Sequence, residues 1–312
     1  MILLLATLIL FMTSSVSHAA ETFTLGYTNL RGAKVPVPLG IEDGIFARFG
    51  IELKMAPVSP GTLGVPKLLA GEIDLFLGNS EPVVRAIAVE KKNLAVIAHL
   101  GSEGFMLFSR RGIARIEELR GKKIGSSLDG ASVDRNTKKA LRKVGLDPEK
   151  DVTIVYTGFQ NSFDRLKVLA KGEIDATVAG SDSLPELGKD IDKVHSLLDL
   201  LEIGIAVSGA DISAERSFIG KNREALRRFI SGLEESFRLA RSWPDLVRRT
   251  YEKHLKLSNA TLDWMVKDYM SAKLPARPTP NPKVIEAYIE ELLLQKSDAQ
   301  RDVNLYLDAS LF

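Results

Sequence analysis

The sequence predicts an α/β protein of two lobes, in which a mixed sheet in each lobe is flanked by helices. Stretches typical of strands and helices alternate from Phe23 onward. One succession of strand, helix, Gly-Glu-Ile-Asp turn, strand and acidic loop occurs twice, 101 residues apart. A chain of 312 residues is long enough to give each lobe its own core.

The first copy of this succession is predicted element by element from apolar patterns and their breakers. A helix is expected to start at Asn79 to Pro82, since proline suits the first turn of a helix. Gly50 and Gly71 are expected to end the two helices before it. The predicted elements are a strand at 23–27, a helix at 38–49, a strand at 51–55, a helix at 63–69 and a strand at 73–77.

The second copy begins with a strand at 152–156. Its Gly172-Glu173-Ile174-Asp175 repeats Gly71-Glu72-Ile73-Asp74, and Ser181-Asp182 repeats Ser80-Glu81. We interpret the repeat as two lobes with related folding units.

The lobe boundaries follow from the segments around the repeat. Strands at 94–99 and 105–109 are expected to lead out of the first lobe, and residues 200–207 are expected to return to it. Two crossings between lobes make a hinge, and hinged lobes enclose a cleft. The predicted division is 20–108 and 201–312 for the first lobe and 109–200 for the second, with C-terminal helices at 223–242, 244–254, 261–272 and 282–295.

Residues 1–19 are predicted to be a secretory signal peptide. An apolar run covers Ile2 to Met12, and Ser17-His18-Ala19 places small residues at a cleavage site, although no basic residue precedes the run. The run is too short for a membrane span, which takes about twenty residues. We expect cleavage near Ala19 and a soluble protein outside the cytoplasm.

Composition argues against several classes of function. The 42 basic and 40 acidic residues give a net charge of +2, without the basic block typical of nucleic-acid binding. The absence of cysteine excludes disulfides, thiolate metal sites and cysteine nucleophiles. The histidines are isolated and no nucleophile-elbow or phosphate-loop motif occurs, so we expect no catalytic residue, metal or cofactor.

Several segments, in this order and spacing, resemble the SsuA/THI5 (NMT1-like) family. They are GIEDGIFARFGIEL, LLAGEIDLFLGNSEP, IEELRGKKIGSS, LRKVGLDPEKDV and LAKGEIDATVAG. The resemblance implies a two-lobed type II periplasmic-binding fold with a two-strand hinge. It also implies a monomeric periplasmic substrate-binding protein of an ABC importer, whose partners are a small-molecule ligand and the transmembrane subunits of the permease. The ligands implied are sulfonates, taurine-like molecules, nitrate-like anions and pyrimidine precursors.

The candidate ligand-binding residues come from the loops that follow the strands, because ligands of open parallel sheets lie beyond the carboxyl ends of the strands. Ser126 to Ser132 precede a predicted helix and suit an anion, whereas Asp129 and Asp134 argue against one. The predicted substrate-binding residues are Tyr27, Asn29, Gly61, Thr62, Asn79, Ser80, Glu81, Ser127, Ser132, Phe159, Ser181 and Asp182.

Two sets of these residues have alternative roles. Glu81 and Asp182 either face each other across the cleft and accept hydrogen bonds from a ligand, or cap their own helices. This pair favours a ligand with a hydrogen-bond donor over a simple inorganic anion. Tyr27 and Phe159 are candidates for flat ligand-contacting walls, while Phe105 is expected in the core.

Two other functions remain open at this point. The same family resemblance includes pyrimidine-precursor enzymes of THI5 type, but those carry a cysteine-rich iron motif and this chain has no cysteine. The other alternative is a protein that presents its ligand-bound state to a membrane sensor, which no sequence feature separates from a transport role.

Overall fold

A computed structural model describes residues 20–312 except 103, 206, 207, 273 and 295–297. The predicted signal peptide lies outside the described residues. The strands are β1 (Glu21–Tyr27), β2 (Ile51–Pro57), β3 (Leu75–Gly78), β4 (Leu94–Ser102), β5 (Phe105–Arg110), β6 (Lys123–Ser126), β7 (Thr153–Tyr156), β8 (Ala176–Gly180), β9 (Val194–Asp199) and β10 (Ser208–Glu215).

Helices surround the strands, and the longest of them follow β10. The α-helices are α1 (Pro36–Glu42), α2 (Ile45–Arg48), α3 (Gly64–Leu69), α4 (Glu81–Ala88), α5 (Ser132–Lys143), α6 (Ser162–Ala170), α7 (Arg216–Lys221), α8 (Arg223–Ser242), α9 (Pro244–His254), α10 (Asn259–Ser271) and α11 (Pro282–Leu294). Stretches of 3-10 helix cover Gly32–Lys34, Gly61–Leu63, Ile116–Leu119, Ser181–Lys193 and Val303–Leu305.

The strands form two sheets with the same topology. The strand order is β2-β1-β3-β10-β4 in the first sheet and β7-β6-β8-β5-β9 in the second. In each sheet the first three strands are parallel, and the fourth is antiparallel to both of its neighbours. The predicted α/β fold with two lobes and a mixed sheet in each is confirmed.

The chain passes from the first sheet to the second between Ser102 and Phe105 and returns between Asp199 and Ser208. The first crossing thus precedes the expected boundary at residue 108, because β5 pairs with β8 from Phe105 onward. The sequence of a single apolar strand does not show which sheet the strand joins, because this depends on the strands with which it pairs.

The C-terminal helices complete the first lobe. Phe229, Leu233 and Phe237 of α8 belong to the core on one face of the first sheet. Ile285 and Ile289 of α11 pack in the core on the opposite face. Burial of these apolar stripes accounts for much of the stability of the helices, because helices are marginal without tertiary packing.

Several elements differ from the prediction or were not predicted, β9 and β10 among them. The helix expected at 38–49 is divided into α1 and α2, because Gly44 lies between them with φ +64°, which breaks the helical path. The short helix α7 was not predicted. The predicted cap at Ser258 is confirmed, since its Oγ accepts a hydrogen bond from the Thr261 N–H at 3.3 Å.

Across residues 20–312, the gaps given above excepted, no helix has both the length and the hydropathy required to cross a membrane.

Candidate functional site

A cavity of about 180 Å³ lies between the loops that follow the parallel strands of the two sheets. The loops after β1, β2 and β3 of the first sheet contribute to it, and so do those after β6 and β7 of the second. This is the position expected from the rule for parallel sheets. The cavity is lined by Thr28, Asn29, Gly61, Thr62, Phe76, Asn79, Pro82, Phe105, Ser127, Ala131, Ser132, Val133, Asn136, Gln160 and Gly209.

The lining combines neutral polar groups with two aromatic rings. Its polar side chains are amides and hydroxyls, and among the described residues that line it none carries a formal charge. Phe76 and Phe105 supply apolar surface from opposite sheets. Such a mixture suits a small molecule with one polar and one apolar part.

Two asparagines of the first lobe present hydrogen-bond donors. Asn79 Oδ1 accepts from the Glu81 N–H at 2.8 Å and from the Tyr288 hydroxyl at 3.3 Å. Asn29 Oδ1 accepts from the N–H of Arg31 at 3.1 Å and from Lys34 Nζ at 3.3 Å. Because each carbonyl oxygen is used twice, the polar group left on each side chain is the amide NH₂, a donor.

The second lobe adds a buried hydroxyl and the start of a helix. Ser127 is 2% exposed, and within the described part of the chain its Oγ has no hydrogen-bond partner. Ser132 and Val133 at the start of α5 line the cavity, and so does Asn136 one turn later. The first N–H groups of a helix lack partners within it and attract negative charge.

The two aspartates that argued against an anion at this loop are both ion-paired. Lys138 Nζ lies 2.8 Å from Asp134 and 3.2 Å from Asp129. Hydrogen bonds from the Tyr156 hydroxyl and Lys138 hold the pKa of Asp129 below its usual value. Neither aspartate belongs to the lining, and Lys138 offsets one of the two negative charges that they bring to this loop.

Glu81 interacts with protein groups of the other lobe. Its carboxylate pairs with the guanidinium of Arg135 and accepts a hydrogen bond from Ser132 Oγ at 3.1 Å. Arg85 Nε lies 3.3 Å from its other oxygen. Glu81 is 7% exposed and does not line the cavity, so the expected hydrogen bond from Glu81 to a ligand competes with these contacts.

Asp182 lies at a different part of the interface between the lobes, beside Arg31 and Tyr251. Burial acts to lower the pKa of Arg31, but the carboxylates of Glu186 and Asp182 outweigh it and raise this pKa above its usual value. Burial also raises the pKa of Tyr251, with Tyr269 and Asp182 adding to the effect. Since Glu81 is paired and Asp182 is outside the cavity, the preference for a donor-bearing ligand that rested on both loses its basis.

Six of the predicted substrate-binding residues line the cavity, namely Asn29, Gly61, Thr62, Asn79, Ser127 and Ser132. The other six lie outside the lining, namely Tyr27, Ser80, Glu81, Phe159, Ser181 and Asp182. Tyr27 packs against the core of the first sheet, and Ser80 is the residue before α4. Phe159 is 43% exposed, and the Ser181 N–H donates to the Gly104 carbonyl at 2.8 Å.

Sequence reasoning missed several lining residues for identifiable reasons. Phe76 lies within the buried strand β3 and is 1% exposed, so its apolar character predicts a core residue and gives no signal for the cavity. Asn136 follows Ser132 by four residues on α5, and this spacing places both on one helix face. Gly209 lies at the start of β10, directly after the return crossing, and no sequence signal brings it to the cleft. Phe105 was expected in the core and contacts both core and cavity.

Arg165 supports the loop that carries the lining residue Gln160. This arginine has no exposed surface, and its guanidinium donates at 2.9 Å to the carbonyls of Phe159 and Gln160. It also donates at 3.1 Å to the carbonyls of Asn161 and Val178. Burial lowers the pKa of Arg165 to about 10, so the group remains a cation at neutral pH.

Metal binding has no candidate site in the described part of the chain, where no three His, Cys, Asp or Glu side chains are grouped to hold an ion. The buried His99 contacts Asp211 at 2.6 Å between β4 and β10, away from the lining residues.

Comparison with known proteins supports the fold. The structure is similar to the periplasmic aliphatic sulphonate-binding protein SsuA from Escherichia coli, with a TM-score of 0.72 and 18% identity over 92% of each chain. The alkanesulfonate-binding protein SsuA from Xanthomonas axonopodis pv. citri, bound to MOPS, gives 0.69 and 17% over 90% of this chain and 95% of that one. The periplasmic nitrate-binding protein NrtA from Synechocystis PCC 6803 gives 0.72 and 10% over 93% and 86%.

No curated protein sequence is significantly similar to this chain. A family model described as NMT1/THI5 like matches residues 34–246, about two thirds of the chain. The matched segment includes both copies of the Gly-Glu-Ile-Asp turn and all but the first few lining residues. The chain belongs to the NMT1/THI5-like family and has the two-lobed α/β fold of periplasmic binding proteins.

Proposed function

We propose that this protein is the extracytoplasmic solute-binding component of an ABC importer, and that it captures a small organic oxyanion such as a sulfonate between its lobes. The observation that carries the proposal is the cavity at the facing strand ends, whose lining, as far as the described residues go, contains hydrogen-bond donors and no carboxylate. The proposal includes a periplasmic location, a monomeric state and delivery to the transmembrane subunits of a permease.

Hydrogen-bond donors from both lobes favour an oxyanion. The amides of Asn29 and Asn79 approach from the first lobe, and the Ser127 hydroxyl and the start of α5 approach from the second. Oxygen atoms of a sulfonate accept several hydrogen bonds at once, and a buried anion needs such bonds to offset its desolvation. A ligand held by both lobes stabilises the closed arrangement, because open lobes offer it only half of the contacts.

The apolar part of the cavity favours an organic ligand over an inorganic ion. Phe76 and Phe105 lie on its wall and offer ring surface to a short alkyl chain. A volume of about 180 Å³ is below the range typical of drug-sized ligands, which begins at roughly 300 Å³. The ligand class is therefore small: an alkyl sulfonate of a few carbons or a taurine-like molecule.

A thermal-shift screen of the purified protein tests this function. The panel contains ethanesulfonate, taurine, nitrate, small amines and pyrimidines, and the protein is first unfolded and refolded to remove any co-purified ligand. A sulfonate at a hundred times its Kd adds about 2.7 kcal/mol to the free energy of unfolding and raises Tm by several degrees. A shift confined to amines or pyrimidines would contradict the oxyanion assignment.

The substitution Asn79→Asp tests the sign of the charge that the site accepts. An aspartate retains the oxygen that accepts from the Glu81 N–H, and it replaces the donor NH₂ by a negatively charged oxygen. We expect a loss of sulfonate affinity of about 100-fold or more, because like charges at close range cost several kcal/mol.

The matched pair Ser127→Ala and Ser181→Ala tests the position of the site. Both changes remove one hydroxyl, but only Ser127 lines the cavity. We expect Ser127→Ala to weaken sulfonate binding about tenfold, the effect of one hydrogen bond to a charged group. Ser181→Ala is expected to stay within twofold of the unchanged protein, and equal effects of the two would place the ligand elsewhere.

A further inference from the structure

In the part of the chain that the structure describes, three ion pairs join the two lobes around the cavity. Arg135 on α5 of the second lobe pairs with Glu81 on α4 of the first. Arg31, which follows β1 in the first lobe, pairs with Glu186 in the 3-10 stretch of the second. Lys139 on α5 lies 3.3 Å from Glu291 on α11.

The two arginine pairs are reciprocal and partly buried. Each lobe supplies one arginine and one glutamate, so the closed lobes are complementary in charge at two places. The side chains of Arg135 and Glu81 are 20% and 8% exposed, and those of Arg31 and Glu186 are 21% and 11% exposed. By contrast, the pair Arg115–Glu118 within the second lobe is 73% and 36% exposed.

We infer that the pairs Arg135–Glu81 and Arg31–Glu186 hold the lobes closed and thereby set ligand affinity without touching the ligand. This inference rests on the proposed function only in its statement about affinity. The statement about closure concerns the protein without ligand.

The physical argument starts from what opening does to these groups. Separation of the lobes breaks both pairs and exposes four charged groups to water. Exposed charges gain little free energy from pairing, so the open form has no comparable attraction. Loss of one partner has a larger effect, because Glu81→Gln leaves Arg135 without its carboxylate in the closed form and Arg135→Gln leaves Glu81 with Arg85 alone. Ligand affinity falls with the fraction of closed, binding-competent protein, so such a loss weakens binding in proportion.

Ser132 connects the first pair to the cavity. Its Oγ donates to Glu81 at 3.1 Å, Arg135 Nη2 lies 3.3 Å from that Oγ, and Ser132 itself lines the cavity. Glu81 therefore holds the first turn of α5 against the first lobe when the lobes are closed. Arg135 and Glu81 are positioning residues for the donors at the start of α5.

The test uses the variants Glu81→Gln, Arg135→Gln and their combination, with Arg115→Gln as the control. Because the chain contains no cysteine, spin labels attach only at introduced sites, here Glu90→Cys in the first lobe and Lys150→Cys in the second. The distance between the labels is measured without ligand. Affinity is measured with ethanesulfonate at low and at high salt.

We expect each single variant to shift the ligand-free distances towards the open state and to raise the Kd for ethanesulfonate about tenfold. The double variant is expected to lie closer to the unchanged protein than either single variant, because it leaves neither charge of the pair without its counter-ion in the closed form. Salt is expected to weaken binding less in the variants, which have lost a screened attraction, than in the unchanged protein. Arg31→Gln and Glu186→Gln give the same comparison at the second pair.

Unchanged label distances in the Glu81 and Arg135 variants would overturn the inference, and so would an equal shift in Arg115→Gln. If ethanesulfonate fails to bind the unchanged protein, the proposed ligand class fails, and the ligand-free distances still decide whether the pairs hold the lobes closed. A uniform fall in Tm for all variants without a distance change would assign the pairs to stability alone.

Discussion

The two lobes use the same turn in the same way. Asp74 Oδ2 accepts a hydrogen bond from the Thr24 N–H at 2.7 Å, and the Asp74 N–H donates to the Thr24 carbonyl at 2.9 Å. Asp175 Oδ2 accepts from the Lys123 N–H at 2.9 Å, and its own N–H donates to the Lys123 carbonyl at 2.8 Å. In both lobes the aspartate of the Gly-Glu-Ile-Asp turn therefore ties the third parallel strand to the first.

The isoleucine of the turn also has one role in both lobes. A Cβ built on Gly26 of β1 would lie 2.6 Å from Ile73 Cδ1, and one built on Gly125 of β6 would lie 2.3 Å from Ile174 Cδ1. Glycine on the central strand leaves room for the isoleucine of the turn that precedes the next strand, which accounts for the repetition of these residue types.

The lobes differ where the strands approach the cavity. In the first lobe, Gly64 of α3 leaves space that the ring of Phe76 occupies. The positions 101 residues later hold Arg165 and Thr177. In the second lobe the glycine is thus replaced by a large residue, and the phenylalanine by a small one. The first lobe thereby gains an aromatic cavity wall, and the second gains a buried cation that fixes the loop carrying Gln160. A common backbone thus gives two chemically different walls.

The largest effect is expected for Arg165→Met. The substitution removes the donors to four backbone carbonyls, of which that of Val178 is buried and the other three are partly buried. We expect a loss of about 3 kcal/mol in the free energy of unfolding, measured by urea denaturation. Lys171→Met, at a side chain that is 66% exposed just after the same helix, is the control and is expected to stay within about 0.5 kcal/mol. A small effect at Arg165 would remove the contrast drawn between the lobes.

A smaller effect is expected for Gly64→Ala. The added methyl group would lie 2.4 Å from the Phe76 ring, and overpacking of this kind costs about 1 to 3 kcal/mol. Because Phe76 lines the cavity, sulfonate affinity is expected to fall as well. Phe76→Leu in the same chain should restore part of the stability. Gly220→Ala, whose methyl group meets nothing within 4 Å, is the control and should not destabilise.

Asp175→Asn is expected to cost about 1 kcal/mol at neutral pH, the usual effect of one hydrogen bond. Burial opposes ionisation, but the Lys123 N–H and the Arg110 guanidinium hold the pKa of Asp175 below its usual value. A lowered folded pKa gives stability above the unfolded pKa of about 3.9, and that stability disappears as the pH falls through the folded pKa. Urea denaturation from pH 7 to pH 3 should show the difference between the two proteins shrinking in acid, and a constant difference would refute this account.

The smallest effects are expected for Glu72→Gln and Glu173→Gln, the second residues of the two turns. Their side chains are 57% and 59% exposed and pair with Lys67 and Lys171, which are 33% and 66% exposed. Exposed pairs contribute less than about 1 kcal/mol, so both variants should unfold within about 0.5 kcal/mol of the unchanged protein. A loss as large as that of Asp175→Asn in either lobe would show that the turn depends on its glutamate.

Sequence reasoning reached far into the fold because the relevant signals are local. Turn residues such as Gly71 and Gly172, apolar alternation and the repeat of 101 residues predicted most strands and the four long C-terminal helices. Sequence reasoning was less successful for the site. Asn79 and Ser127 were found because strand ends meet at the cleft, whereas Phe76 and Gly209 required knowledge of which strands face the cavity.

The two-lobed α/β fold, the shared turn and the loops that meet at the cleft are predictable from the amino-acid sequence, because they depend on residue periodicity and on backbone preferences at short range. Three features follow only from the folded molecule: β5 joins the second sheet, Glu81 pairs with Arg135, and Asp182 lies outside the cavity. Each of these depends on which groups from distant parts of the chain meet. A carboxylate binds whichever donor packing brings within about 3 Å, and no local pattern records that donor.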